Sequence, residues 1–137
     1  MAVIDGRTGL EQLSRPACLA LLAECEVGRI GVLVDGAPEI YPVNFVVDRE
    51  RILFRTAGGG KLRGIDRSPA VCFEVDGIDP DQQTGWSVLV KGTARVVTDA
   101  PTTRQLAESP LRYWAPGQKA SWICVEPREI TGRRIKR

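Results

Sequence analysis

No histidine occurs among the 137 residues, and that absence removes more chemistry than any other feature of the chain. Ser-His-Asp and Cys-His nucleophilic sites are impossible as written. The four cysteines, Cys18, Cys25, Cys72 and Cys124, form no C-x-x-C pair, so no metal site is expected. Cys72 and Cys124 stand in apolar runs and read as small core residues. Nothing in the spacing suggests a secreted disulfide framework. No apolar run approaches the roughly 18 to 20 residues of a membrane span. Met1–Gly9 lacks a basic start followed by an apolar core, so no signal peptide and a cytoplasmic location are expected. The net charge of +2 is too small to imply nucleic acid, and Arg133-Arg134 with Lys136-Arg137 reads as a solvated basic tail. If the chain is an enzyme, its hard chemistry lies in a cofactor.

What is present is ordinary globular composition, 43% hydrophobic and 26% charged, and one domain spanning residues 1–137 is expected. Leu10–Glu26 reads as a helix, with Ser14 able to cap, Pro16 in the first turn and Gly28 ending the element. Arg29–Val34 alternates as a strand, Asp35-Gly36 is a hairpin signal, and Glu39–Val47 is the return strand. That strand places Tyr41, Val43, Phe45 and Val47 on one side, Pro42 and Asn44 on the other. A turn at Asp48–Arg51 leads into Ile52–Thr56, and Lys61–Asp66 reads as one helical turn. Ala70–Val75 is a strand, Asp76–Gly85 a polar loop, and Trp86–Val97 a long strand with a bulge or bend at Gly92. A short helix over Thr102–Glu108, an irregular stretch Ser109–Lys119, and strands Ala120–Val125 and Ile130–Ile135 complete the chain. Many short antiparallel strands with turns between them predict a mainly β fold, a small barrel with helices over its ends.

Tyr41–Lys61 (YPVNFVVDRERILFRTAGGGK) carries most of the functional signal. Arg55, the Thr56 hydroxyl, a flexible glycine run and Lys61 are the parts that a phosphate-bearing ligand needs. A P-loop is excluded, because Arg55 stands where that motif wants Gly and Leu62 where it wants Ser or Thr. Two solvated charges beside a loop would explain Arg55 and Lys61 equally simply. Asn44, an amide in an apolar strand, needs partners: either a neighbouring loop backbone or the edge of a heterocycle. Trp86, Trp114 and Trp122 read first as packing residues. Glu74 and Asp76 show no sign of forming an acid–base pair.

Taken in order, V-G-R-I-G (27–31), P-V-N-F (42–45), F-R-T (54–56), G-K-L (60–62), V-C-F-E-V-D (71–76) and W-S-V-L-V-K-G (86–92) resemble the pyridoxamine 5′-phosphate oxidase-like flavin-binding split-barrel family. The resemblance runs over about Leu10–Ile135, nearest the small branch related to nitroimidazole-resistance reductases. It implies a six-stranded antiparallel split β-barrel with a few short flanking helices, forming a homodimer with FMN at each subunit interface. Arg55, Thr56, Lys61 and Leu62 would hold the phosphate and ribityl end. Pro42, Val43, Asn44 and Phe45 would line the isoalloxazine ring, Ser87 and Val88 would contact it, and Arg133 would reach across the dimer. The chain lacks the C-terminal R-x-H signature of the true oxidase and the histidine that some nitroimidazole reductases use, so neither specific activity is expected.

The resemblance implies a flavin-dependent oxidoreductase moving electrons between a nicotinamide or deazaflavin donor and a small-molecule substrate. The alternatives are a reductase using the deazaflavin F420, with Arg29, Arg63 and Arg67 as candidates for its acidic tail, and a non-catalytic flavin-storage or sensing dimer. Nucleic-acid binding through Arg133–Arg137 is the weakest of these readings, and no membrane association is expected.

Overall fold

A computed structural model describes residues 3–56, 60–98 and 121–135, with the side chains of residues 60–62 left aside. The chain runs β1 (Val3–Ile4), β2 (Glu11–Leu13), α1 (Arg15–Glu24), β3 (Val27–Val34), β4 (Ala37–Asp48), β5 (Arg51–Thr56), α2 (Gly60–Arg67), β6 (Ala70–Asp79), β7 (Thr84–Val96) and β8 (Ser121–Ile135). All pairings are antiparallel, in the order β1-β2-β8-β5-β4-β3-β6-β7, and β7 also pairs with β8. That last pairing closes β3 to β8 into a six-stranded ring, the split barrel that the family resemblance implied.

Alternation along each strand decides what lies inside. Ile30 and Val32 of β3, Val43 and Phe45 of β4, Ile52 and Phe54 of β5, Phe73 and Val75 of β6, Val88 and Val90 of β7, and Ile123 and Val125 of β8 fill the ring. Cys18 and Leu22 of α1 enter the same core, so the helix closes one end of the barrel, and Ile65 of α2 is buried with them. A smaller apolar cluster, Leu53, Val97, Trp122 and Cys124, lies on the opposite, outer face of β5 and β8.

Several local expectations are corrected. The helix is shorter than Leu10–Glu26, because Glu11–Leu13 pairs with Gly132–Arg134 as a strand before Ser14 caps α1. Ser14 Oγ accepts the Ala17 N–H at 3.2 Å, and Cys25 rather than Gly28 ends the helix. Asp76–Gly85 is mostly ladder: β6 and β7 pair from Ala70↔Thr93 through Asp79↔Thr84, leaving only Pro80–Gln83 as the turn. The two final strands are one, because Pro127 sits opposite Gly92 at a register shift where β8 does not need its amide. Arg133 and Arg134 therefore belong to a paired strand, not to a tail. Cys72 faces outward and is exposed, whereas Cys124 is buried as expected. The Asp35-Gly36 turn has both residues at positive φ, 52° and 80°, as a two-residue hairpin requires. The helix expected at Thr102–Glu108, the stretch Ser109–Lys119 with Trp114, and Lys136-Arg137 lie outside the described residues.

Gly28 shows how tightly the ring is filled. It faces inward, and a Cβ there would fall within van der Waals contact of the Phe73 ring, which itself meets Phe45 edge-on at 4.8 Å between centroids. Gly28→Ala is expected to cost about 1–3 kcal/mol by overpacking. Urea denaturation checks this, and the cost should shrink when Phe73 is shortened to leucine in the same chain.

Candidate functional site

The sequence-predicted residues divide between the two faces of the barrel wall. Val43, Phe45 and Val88 point into the core, at 7%, 2% and 0% exposure, so only their backbone is available to a ligand. Thr56 has the same inward parity as Ile52 and Phe54 and is buried, whereas Arg55 points outward. These neighbours therefore point to opposite faces of the strand. Lys61 and Leu62 lie in the first turn of α2.

The outward residues come together. On β4, Pro42 and Asn44 stand opposite Arg29 and Val27 of β3. Arg29 stands opposite Glu74 of β6, Glu74 opposite Leu89 of β7, and Asp76 opposite Ser87 of β7. Ser87 in turn stands opposite Arg133 of β8. Pro42, Asn44, Ser87 and Arg133, which come from distant parts of the sequence, thus share one outer wall. Arg55 has the outward parity of Asn44 on the adjacent strand. Its guanidinium carbon lies 5.4 Å from the centre of the Trp122 ring, its cross-strand partner, and this stacking fixes its direction.

Asn44 Nδ2 donates to the Glu26 carbonyl at 3.4 Å, and that carbonyl also accepts the Phe45 N–H at 3.2 Å. The loop-backbone account of Asn44 is therefore the one that the fold displays. At the Arg133 end, Arg134 donates to both carboxylate oxygens of the buried Glu11, at 3.0 and 3.1 Å, tying β8 to β2. An open groove of about 340 Å³ follows this part of the wall, lined by Glu74, Asp76, Ser87 and Arg133 with Ile78, Trp86 and Ile135 beside them.

Sequence reasoning missed the centre of this wall. Arg29 Nη1 lies 3.2 Å from Glu74 Oε1 and 3.0 Å from Asp76 Oδ2, so one guanidinium joins the two carboxylates. Burial, then a hydrogen bond and repulsion from Asp76, raise the Glu74 carboxyl above its ordinary 4.5, with Arg29 opposing. Register alone brings these residues together across 45 and 47 positions, and no local motif announces it. Arg67 pairs with Asp35 at 3.4 Å, so two of the three arginines considered for an acidic cofactor tail have carboxylate partners.

A closed six-stranded barrel with a polar outer wall defines a class of protein, and comparison with known proteins names the family. Residues 14–134 match the family described as pyridoxamine 5′-phosphate oxidase, and the chain belongs to it. It is 34% identical to the uncharacterized protein Rv0080 of Mycobacterium tuberculosis, over 90% of this chain and 84% of that protein. The solved structure of the FAD binding protein from Mycobacterium smegmatis is 38% identical, with a TM-score of 0.73 over 90% of this chain and 96% of that one. A Corynebacterium glutamicum protein proposed to be a pyridoxamine 5′-phosphate oxidase is 32% identical, with a TM-score of 0.81 over 92% and 98%. No helix among the described residues is long and apolar enough to cross a membrane.

Replacing Arg29 tests the charge balance of the wall. A carboxyl whose folded pKa is raised weakens the fold as pH climbs through that pKa, because the unfolded chain ionises first. Arg29→Ala removes the opposing cation and should deepen that loss. The partly exposed setting keeps the effect to about 1 kcal/mol or less. Urea denaturation at about pH 7 should show the variant less stable than the parent, and the gap should narrow by about pH 4 as the carboxyls protonate.

Proposed function

We propose that this protein is a flavin-dependent oxidoreductase that binds its cofactor on the outer barrel wall and completes the site as a homodimer. The observation that carries the proposal is the shared outward face of Asn44, Ser87 and Arg133, with Arg55 held against Trp122 on the adjoining strand. These groups fit a flavin: a fixed guanidinium suits a phosphate, while an amide, a hydroxyl and strand backbone suit the polar edge of the ring. Arg55 with Lys61 and Leu62 of α2 would hold the phosphate and ribityl end. Asn44 and the backbone of Pro42, Val43 and Phe45 would meet the ring, with Ser87 and the Val88 backbone beside it and Arg133 directed toward the partner. The buried Thr56 would act through the strand end rather than alongside the Arg55 side chain.

The wall is one-sided, and Leu33 and Ile40, 39% and 72% exposed, leave apolar surface on β3 and β4 for a second protomer to cover. FMN is the cofactor expected of the family, and the Mycobacterium smegmatis relative is an FAD binding protein. The unit common to both, flavin mononucleotide, is what these residues would hold. The carboxylate partners of Arg29 and Arg67 count against a basic groove for the F420 tail built from them. A bound flavin supplies hydride transfer between a nicotinamide donor and a small-molecule acceptor; the chain's residues bind and orient it. Slow reduction by every nicotinamide or deazaflavin donor in stopped flow would favour a storage or sensing role instead.

Arg55→Ala with Lys61→Ala should weaken flavin binding by about 1.5–3 kcal/mol for each charge-assisted bond removed. Titration by flavin fluorescence measures this, and unchanged affinity in a folded double variant would sink the placement. Mass spectrometry of the copurifying cofactor distinguishes FMN, FAD and F420.

A further inference from the structure

We propose that Glu74, held by Arg29 and Asp76, is the proton-holding residue of this wall, and that cofactor binding is linked to its protonation. The inference rests on the flavin reading above and concerns residues that reading does not use. Position carries it. Arg29 and Glu74 stand on the two strands between Asn44 and Ser87, facing the same side, so a planar ligand contacting both of those residues passes over the carboxyl pair.

The charges do not balance locally. One guanidinium lies against two carboxylates, and it can neutralise only one of them. Around them, β4 offers Pro42 and Asn44 and β7 offers Ser87 and Leu89, all uncharged. Arg133 lines the adjoining groove, Arg134 is committed to Glu11, and Cys25 at the end of α1 lies near enough to Asp76 for its thiol to be pushed up by that charge, after burial and Glu24. Arg29 is thus the only cation in direct contact with the pair among the described residues. The side chains of Glu74 and Asp76 are still 33% and 27% exposed, so water now supports the second negative charge.

A ring laid over the wall would remove that water and disfavour ionisation further. The oxidised flavin presents carbonyl and imine acceptors along its polar edge; a carboxylic acid can donate to them, whereas a carboxylate cannot. Both effects act in one direction. Binding takes up a proton at pH values between the Glu74 pKa of the free protein and its higher value in the complex, and affinity falls as pH rises through that interval. The direction found for Glu74 in the free protein agrees with this, since its carboxyl is already raised.

The test is flavin affinity against pH, read by fluorescence quenching with FMN and FAD on the full chain. The parent protein should bind more weakly as pH rises through the titration of Glu74, losing up to tenfold per pH unit, the limit for one linked proton. Glu74→Gln, which keeps the shape and a donor, should hold the low-pH affinity across the range. Asp76→Asn leaves Arg29 to Glu74 alone and should move the fall to lower pH. A parent profile flat with pH, or a Glu74→Gln variant with the parent slope, overturns the proposal while leaving the flavin site in place. Failure of the parent to bind flavin at any pH overturns the flavin reading itself. Should Glu74→Gln fail to fold, an Asp76→Asn profile superimposable on the parent overturns the proposal.

Discussion

The interior of the barrel sets the terms for everything outside it. Six strands close a ring narrower than the eight-stranded barrels whose centres only just hold side chains, and here the space is filled by Phe45, Phe54, Phe73 and the branched aliphatics around them. Gly28 faces inward by strand parity, and even a methyl group there would strike Phe73. With the interior filled by these described side chains, the outer wall is where alternate residues on each strand are free to be polar. The core thus fixes register, and register decides which outward residues meet.

That chain of causes explains which parts of the structure were legible. Strands with clean alternation, such as Arg29–Val34 and Trp86–Val97, announced themselves, and the positive-φ turn at Asp35-Gly36 fixed the first hairpin. Glu11–Leu13 was hidden because three residues are too few to show a period, and its pairing partner lies more than a hundred residues away. Asp76–Asp79 read as loop because its composition is polar, yet those residues form an extension of the β6–β7 ladder. Pro127 split one strand into two on paper; the bulge opposite Gly92 makes the proline compatible with a continuous β8.

The candidate site divides in the same way. Asn44 was noticeable as an amide among apolar neighbours, and Arg55 as a cation at a strand end. Their common outward parity follows from counting along β4 and β5. Adjacency alone does not put Arg55 and Thr56 on one face, since consecutive strand residues point opposite ways. The cluster of Arg29, Glu74 and Asp76 was beyond local reading altogether. It depends on the β3–β6 seam, whose ladder spans only Arg29–Gly31, between strands joined through β4, β5 and α2.

That seam is the shortest ladder in the ring, three paired positions against eight for β3–β4 and ten for β6–β7. Inside, Phe73 packs across Gly28 at the same level; outside, Arg29 reaches from β3 to two carboxylates on β6. Side chains therefore supply cross-strand contact at the end where the backbone ladder stops. An outward ion pair is a weak fastener when water surrounds it and becomes more consequential when covered. A ligand or second protomer laid over this wall would change the energetics of the seam, and not only gain contacts of its own. The place where the barrel is least closed by backbone thus also carries a three-residue charge cluster on its outer wall, and covering that cluster would couple binding to the integrity of the fold.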